Sequence, residues 1–225
     1  MKTAPERIVN AVGILLATAC CSIAFAAEEF GQIPYATIHK ALTRARTVSN
    51  PNLRPTVSII STDANAASSE PVKLVVQSKS GAMKVDVDDD GEIRSFPLTD
   101  ELLKENPFVL SNQPRGKSQL RVAIAVVLPD SLTLSYRVLS QRLDEANAEI
   151  KKQAGMLSVM VPRAKTLQFQ FKTPGKQTIT VGGKAGQVLT ADNRGTIELT
   201  IDPKTASEDP QVILSEKPAK VLVKV

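Results

Sequence analysis

The chain has 225 residues, 42% of them hydrophobic and 23% charged, with a formal net charge of +5. One histidine and two cysteines exclude an HExxH zinc site and a disulfide-stapled scaffold. Stability must then come from apolar burial, for which this length suffices. Basic residues are interspersed with acids, and no aromatic-and-basic strand motif occurs, so nucleic acid is not an expected partner.

In chain order, Lys2 and Arg7 precede an apolar run from Ile8 to Ile23, and Ala24-Phe25-Ala26 offers small residues to a signal peptidase. Residues 1–26 therefore read as a cleavable export signal, which places the remainder in the periplasm or outside the cell, with no transmembrane segment after cleavage. The run is short for a membrane anchor. A lipoprotein cut before Cys20, leaving that cysteine acylated, is the alternative; the apolar residues after it make a poor tether. Cys20 and Cys21 both fall in this segment, so the exported chain has no thiol.

Beyond the signal the net charge is +4, because Lys2, Arg7 and Glu6 lie within it. From Ser131 onward fourteen Lys and Arg stand against nine Asp and Glu. The basic excess includes Arg163, Lys165, Lys172, Lys176 and Lys184, a candidate face for an anionic ligand.

A repeat with a period of about one hundred residues organises the rest. Asp88-Asp89-Asp90-Gly91-Glu92-Ile93 answers Asp192-Asn193-Arg194-Gly195-Thr196-Ile197, and Glu105-Asn106-Pro107-Phe108-Val109-Leu110 answers Glu208-Asp209-Pro210-Gln211-Val212-Ile213. Tyr35, Ile38, Leu42 and Ala45 share their spacing with Tyr136, Leu139, Leu143 and Ala146, one apolar helical face in each case. Gly155 is a natural stop for the second helix.

Strands are expected at 56–62, 72–77, 83–87, 93–98, 108–111 and 119–128, with a short helical turn at 99–105. In the second part they are expected at 157–161, 166–171, 177–181, 187–190, 196–201, 212–214 and 221–225. The expected fold class is α+β: a tandem duplication of a module in which one amphipathic helix packs on an antiparallel β-meander. Paired β-sandwiches with peripheral helices are the alternative. The modules span 27–130 and 131–225, the second with an extra hairpin around 174–184.

The motifs for chemistry are few. Asp86, Asp88 and Asp90, followed by Gly91 and Ile93, reproduce the start of a calcium-binding loop, since calcium takes several hard oxygens around a sharp turn. The twelfth position, however, is Pro97, and the second copy has Thr190 and Arg194 at ligand positions, which favours an acidic hairpin turn. His39 has no acid at helical spacing. No GxSxG, Ser-x-x-Lys or GxxxxGK(S/T) is present. Tyr35 and Tyr136 head matching helices and read as half-buried rings with a bonded hydroxyl.

The expected function is an exported, non-enzymatic binding protein of the bacterial cell envelope, needing no cofactor and acting through a groove or face between its two copies. Its partner would be an envelope protein or an anionic envelope polymer. The alternatives are an envelope-carbohydrate hydrolase using an Asp/Glu pair and a calcium-stabilised adhesion module.

Overall fold

A computed structural model of the chain describes residues 30–61, 70–155, 161–183 and 186–224. The export signal with Cys20, most of the strand expected at 157–161, and Lys184 lie outside the described residues. The fold is mixed α+β with a β-rich core: four helices and fourteen strands, all pairings antiparallel, in three sheets.

The first half runs β1 (Phe30–Pro34), α1 (Tyr35–Ala45), β2 (Leu53–Ser61), β3 (Leu74–Ser78), β4 (Gly81–Val87), β5 (Ile93–Ser95), α2 (Asp100–Glu105), β6 (Phe108–Pro114) and β7 (Ser118–Val126). The second runs β8 (Thr133–Ser135), α3 (Tyr136–Ala154), β9 (Thr166–Gln170), β10 (Thr178–Val181), β11 (Gln187–Thr190), β12 (Thr196–Thr200), α4 (Pro203–Glu208), β13 (Gln211–Leu214) and β14 (Lys220–Lys224). Element for element, the two orders are the same.

The outer sheets match in four strands, β1-β6-β3-β4 in one half and β8-β13-β10-β11 in the other; β5 extends the first by pairing with β4, whereas its counterpart β12 joins the third sheet. Residues 174–184 were expected to form an extra hairpin. Their described part instead supplies β10, which sits between β11 and β13 as β3 sits between β4 and β6.

Each long helix starts where a strand turns inward, and each is capped from a distance. Neither Pro34 nor Ser135 caps through its side chain. Pro107 O accepts from Tyr35 N and Asn106 Oδ1 from Ala36 N; Pro210 O accepts from Tyr136 N and Asp209 Oδ1 from Arg137 N. Orphan amides at a helix start are thus satisfied by the end of the short helix before β6 or β13. Asn106 and Asp209 hold left-handed backbone, φ 47° and 49°, as the C-caps of α2 and α4. Short polar side chains tolerate that conformation best after glycine.

The two tyrosines are equivalent in the same detail. Tyr35 Oη donates to Pro97 O at 2.7 Å and accepts from Thr99 N at 3.2 Å. Tyr136 Oη donates to Thr200 O at 3.3 Å and accepts from Asp202 N at 2.9 Å. Both rings are buried, so their hydroxyls fasten the helix to the end of β5 or β12.

The two turn glycines also agree. Asp88 O accepts from Gly91 N while Asp88 Oδ1 accepts from Asp90 N and Glu92 N; Asp192 does the same for Gly195, Arg194 and Thr196. Each glycine then accepts from the strand below, Gly91 O from Ile59 N and Gly195 O from Phe171 N.

There are two cores. One gathers Tyr35, Ile38, Val57, Ile59, Val76 and Val109; the other gathers Tyr136, Leu139, Leu167, Phe169, Ile179 and Val212. Complete burial of a side chain such as Ile38 contributes about 2–3 kcal/mol.

The third sheet joins the halves, with order β12-β9-β14-β7-β2. Val57 pairs with Val122 and Pro55 with Ile124 on one side; Phe169 pairs with Val221 and Leu167 with Val223 on the other. Val122 and Ile124 are therefore the counterparts of Val221 and Val223. The seam pairs Leu222 with Ala125, and one antiparallel step on, Val223 faces Ile124. A residue thus faces its own counterpart, so the seam is centred on a local two-fold axis.

Gly91 and Gly195 sit at φ +77° and +70°, and an added Cβ would lie 2.2 Å from Ile59 O and 2.9 Å from Phe171 O. Alanine at either position should cost about 2–4 kcal/mol in urea unfolding, with Gly91→Ala the worse. Tyr35→Phe and Tyr136→Phe should each lose about 1–3 kcal/mol, because a buried amide is left without its acceptor. Unchanged midpoints would show that the hydroxyls bear no load.

Candidate binding site

Side chains alternate across a strand, so the joining sheet has two unlike faces. On one, Thr56 and Ser58 of β2, Ala123 of β7, Leu222 of β14 and Gln168 and Gln170 of β9 line a trough of about 990 Å³. Ala123 and Leu222, the counterparts beside the seam, lie at its middle. The two aspartate turns stand at its ends, contributing Asp88, Asp89 and Asp90 from one half and Asp192 and Arg194 from the other. No single core explains this surface; both halves build it.

The end nearer the first turn is filled by an ion cluster. The Glu92 side chain is only 5% exposed and takes Arg54 Nη1 at 2.5 Å and Arg94 Nη1 at 2.9 Å on Oε1. Lys220 Nζ lies 2.7 Å from Glu92 Oε2 and is itself 7% exposed. That contact is an ion pair without the alignment of a hydrogen bond, so Oε2 has no directed donor. Burial pushes the Glu92 carboxyl up, but the Lys220 ammonium and the Arg54 guanidinium outweigh it and hold it below its ordinary value. Lys220 crosses from β14 to reach this first-half acid, which makes the cluster a second fastening of the halves.

Asp88 and Asp90 line this end, but their oxygens are committed. Asp88 Oδ1 takes two turn amides and Oδ2 lies 2.6 Å from Arg94; Asp90 Oδ2 lies 3.5 Å from Lys220. Asp86, on β4, pairs with Ser95 across the hairpin. Among the described residues no group of three His, Cys, Asp or Glu is placed to hold a metal ion. The acidic hairpin accounts for this sequence: the aspartates shape and charge a turn.

Two cations of the trough are free of acids. Arg121, the counterpart of Lys220 on β7, stands opposite Ser58, the residue bridged to Glu92, and Lys172, just beyond β9, stands by the second turn; neither has a carboxylate partner among the described residues. Glu198 of β12 is taken by Lys224 at 2.7 Å. Of the basic residues singled out in the sequence that the structure describes, Lys172 alone lines the trough. Arg163 precedes the opposite end of β9 and pairs with Asp144 of α3 at 2.6 Å, and Lys165 and Lys176 are exposed at the two ends of that strand's flanking segments. Strand length keeps them from forming one face.

Sequence reasoning missed Glu92, Arg54, Arg94, Lys220 and Arg121. One signal was present: Glu92 stands where the matching block has Thr196, a charge at a position that the other copy keeps neutral. His39, the only histidine, lies half-buried with its ring 5.7 Å from that of Tyr35, away from the trough. The chain matches no protein-family model, no curated protein and no solved structure.

Glu92 titrates lower in the folded chain than in the unfolded one, so its stabilisation is complete above the ordinary glutamate range and is lost as pH falls through the folded value. Glu92→Gln should cost about 3 kcal/mol at pH 7, because the buried Lys220 ammonium loses its nearest carboxylate. That deficit should shrink in urea titrations carried below about pH 4. A pH-independent deficit would mean that the ion cluster adds nothing.

Proposed function

We propose that the protein is a non-enzymatic binding protein of the cell envelope, built of one α+β module present twice, whose ligand lies in the trough across the seam. The observation that carries this reading is the trough itself, a polar surface of about 990 Å³ furnished from both halves. A site of this size lies at the upper end of those that take ligands, and junctions between units are where such sites concentrate.

Its rungs of Thr56, Ser58, Gln168 and Gln170 offer hydroxyl and amide groups along the floor. Arg121 and Lys172 add positive charge that no internal acid neutralises. A polar envelope polymer with anionic groups, bonded along the rungs and held by these two cations, suits the surface. The repeated order of elements and the matching bonds of Tyr35 with Tyr136, Asn106 with Asp209 and Gly91 with Gly195 support the duplication.

Two features favour binding over hydrolysis. Glycoside hydrolysis needs one carboxyl held protonated by a raised pKa beside a second, ionised one. Every carboxyl among the described residues that departs from its ordinary value moves down: Glu70, Glu92, Asp130, Asp202 and Asp209. In the trough, Glu92 and Glu198 are both committed to cations. Among the described residues no helix is long and apolar enough to cross a membrane.

The test is calorimetric titration of the purified protein with an anionic envelope polysaccharide at low and at physiological salt. Binding should weaken with salt, and Arg121→Ala with Lys172→Ala should reduce affinity at least about tenfold. Equal affinity in the double variant, or no binding at low salt, would refute the reading.

A further inference from the structure

The opposite face of the joining sheet carries a second cavity, unlike the trough in chemistry. It is a groove of about 610 Å³ between α1 and α3, floored by Pro55, Val122, Ile124 and Val223. Ala41 and Ala45 of α1 form one wall, and their small side chains leave the floor uncovered; Ile150 of α3 forms the other. Val122 is 56% exposed, although its strand is hydrogen-bonded on both sides at the middle of a sheet. Such a position is normally closed by a helix, as α1 and α3 close the sheet on either side of it.

The groove's polar rim is cationic. Arg44 stands there, with Arg121 and Lys224, whose side chains strand alternation turns toward the trough face, and among the described residues no carboxylate lines the cavity. Lys224 is answered by Glu198. Arg44 is not answered by an acid: Nε donates to Gln153 Oε1 at 3.2 Å and Nη2 to the Gln153 carbonyl, both neutral. The nearby acid on α3, Glu149, accepts from Gln153 Nε2 at 2.9 Å and lies 3.9 Å from Lys152.

An open apolar floor with one uncompensated guanidinium at its mouth is complementary to a single hydrocarbon chain ending in a carboxylate. The apolar surface rewards burial of methylene groups, and guanidinium and carboxylate match in geometry. We propose that this groove binds a long-chain fatty acid, with its chain along Val122, Ile124 and Val223 and its carboxylate at Arg44. The groove shares Arg121 and Ala123 of β7 with the trough, while its floor of Pro55, Val122, Ile124 and Val223 lies on the other face of the same strands.

The experiment is calorimetric titration of the purified protein with laurate below its micelle concentration, with neutral dodecyl maltoside as the head-group control. Laurate should bind with a dissociation constant in the micromolar range and dodecyl maltoside at least about tenfold more weakly. Val122→Gln replaces an exposed side chain, so it should leave the unfolding midpoint in place and weaken laurate at least tenfold. Ala41→Trp should fill the groove with the same result, and Arg44→Gln should remove the preference for the carboxylate. No laurate binding by the wild-type protein would overturn the proposal. Equal binding of dodecyl maltoside, or undiminished binding by Val122→Gln, would overturn it as well. Weakened trough binding in Lys172→Ala, with laurate binding intact, separates the two surfaces, because Lys172 lines the trough and not the groove.

Discussion

The arrangement depends on one backbone pairing, β7 with β14. Each half places its other sheet, its short helix and its long helix around its own core, and Leu53 of β2 and Val126 of β7 are buried in the core of the second half, beside the seam. Pairing the last strand of one half with the last strand of the other covers two edges at once, and an uncovered edge is a standing invitation to aggregation. It also produces a sheet wider than either half provides, β12-β9-β14-β7-β2. Both candidate surfaces are faces of that sheet, so both exist only because the seam does.

The seam is reinforced from each side by a different device. On the trough side Lys220 reaches across to Glu92, a buried pair that is weak evidence of net stability but strict about geometry. On the helix side Arg44 and Thr47 meet Gln153, and Asn50 and Asn52 meet Glu145, neutral or singly charged bonds between α1 and its following loop and α3. Buried charge on one face and amide bonds on the other fix the angle between halves without filling either cavity.

Much of this was legible in the sequence where the signal was local. The apolar spacing of Tyr35, Ile38 and Leu42 and of Tyr136, Leu139 and Leu143 located both long helices, Gly155 stopped the second, and the Asp-Gly turn at 90–91 placed the β4–β5 hairpin. β1 and β8 were not foreseen, because strands of five and three residues are set by their partners β6 and β13 rather than by their own pattern. α4 had a local signal, Asp202 as N-cap and Pro203 at the first helical position, which the strand alternation before it obscured. The strand matching β2 is β9, as the bond from Phe171 N to Gly195 O, the counterpart of that from Ile59 N to Gly91 O, establishes. The seam and the Glu92 cluster join residues about a hundred positions apart, and no periodicity within a strand encodes such a partner.

The two-fold centring of Ile124 on Val223 has a consequence for shorter forms of the chain. A strand can zip against its own duplicate only if the match is centred on one position, and β7 against β14 meets that requirement. A polypeptide ending after β7 would expose an edge already suited to a second molecule of itself, and its assembly would depend on how many such molecules were present. Tethering the partner within one polypeptide replaces that dependence with a fixed local concentration. It also frees the two sides to diverge, so that Arg121 can lie open where Lys220 is locked down, an asymmetry that identical subunits are not able to encode.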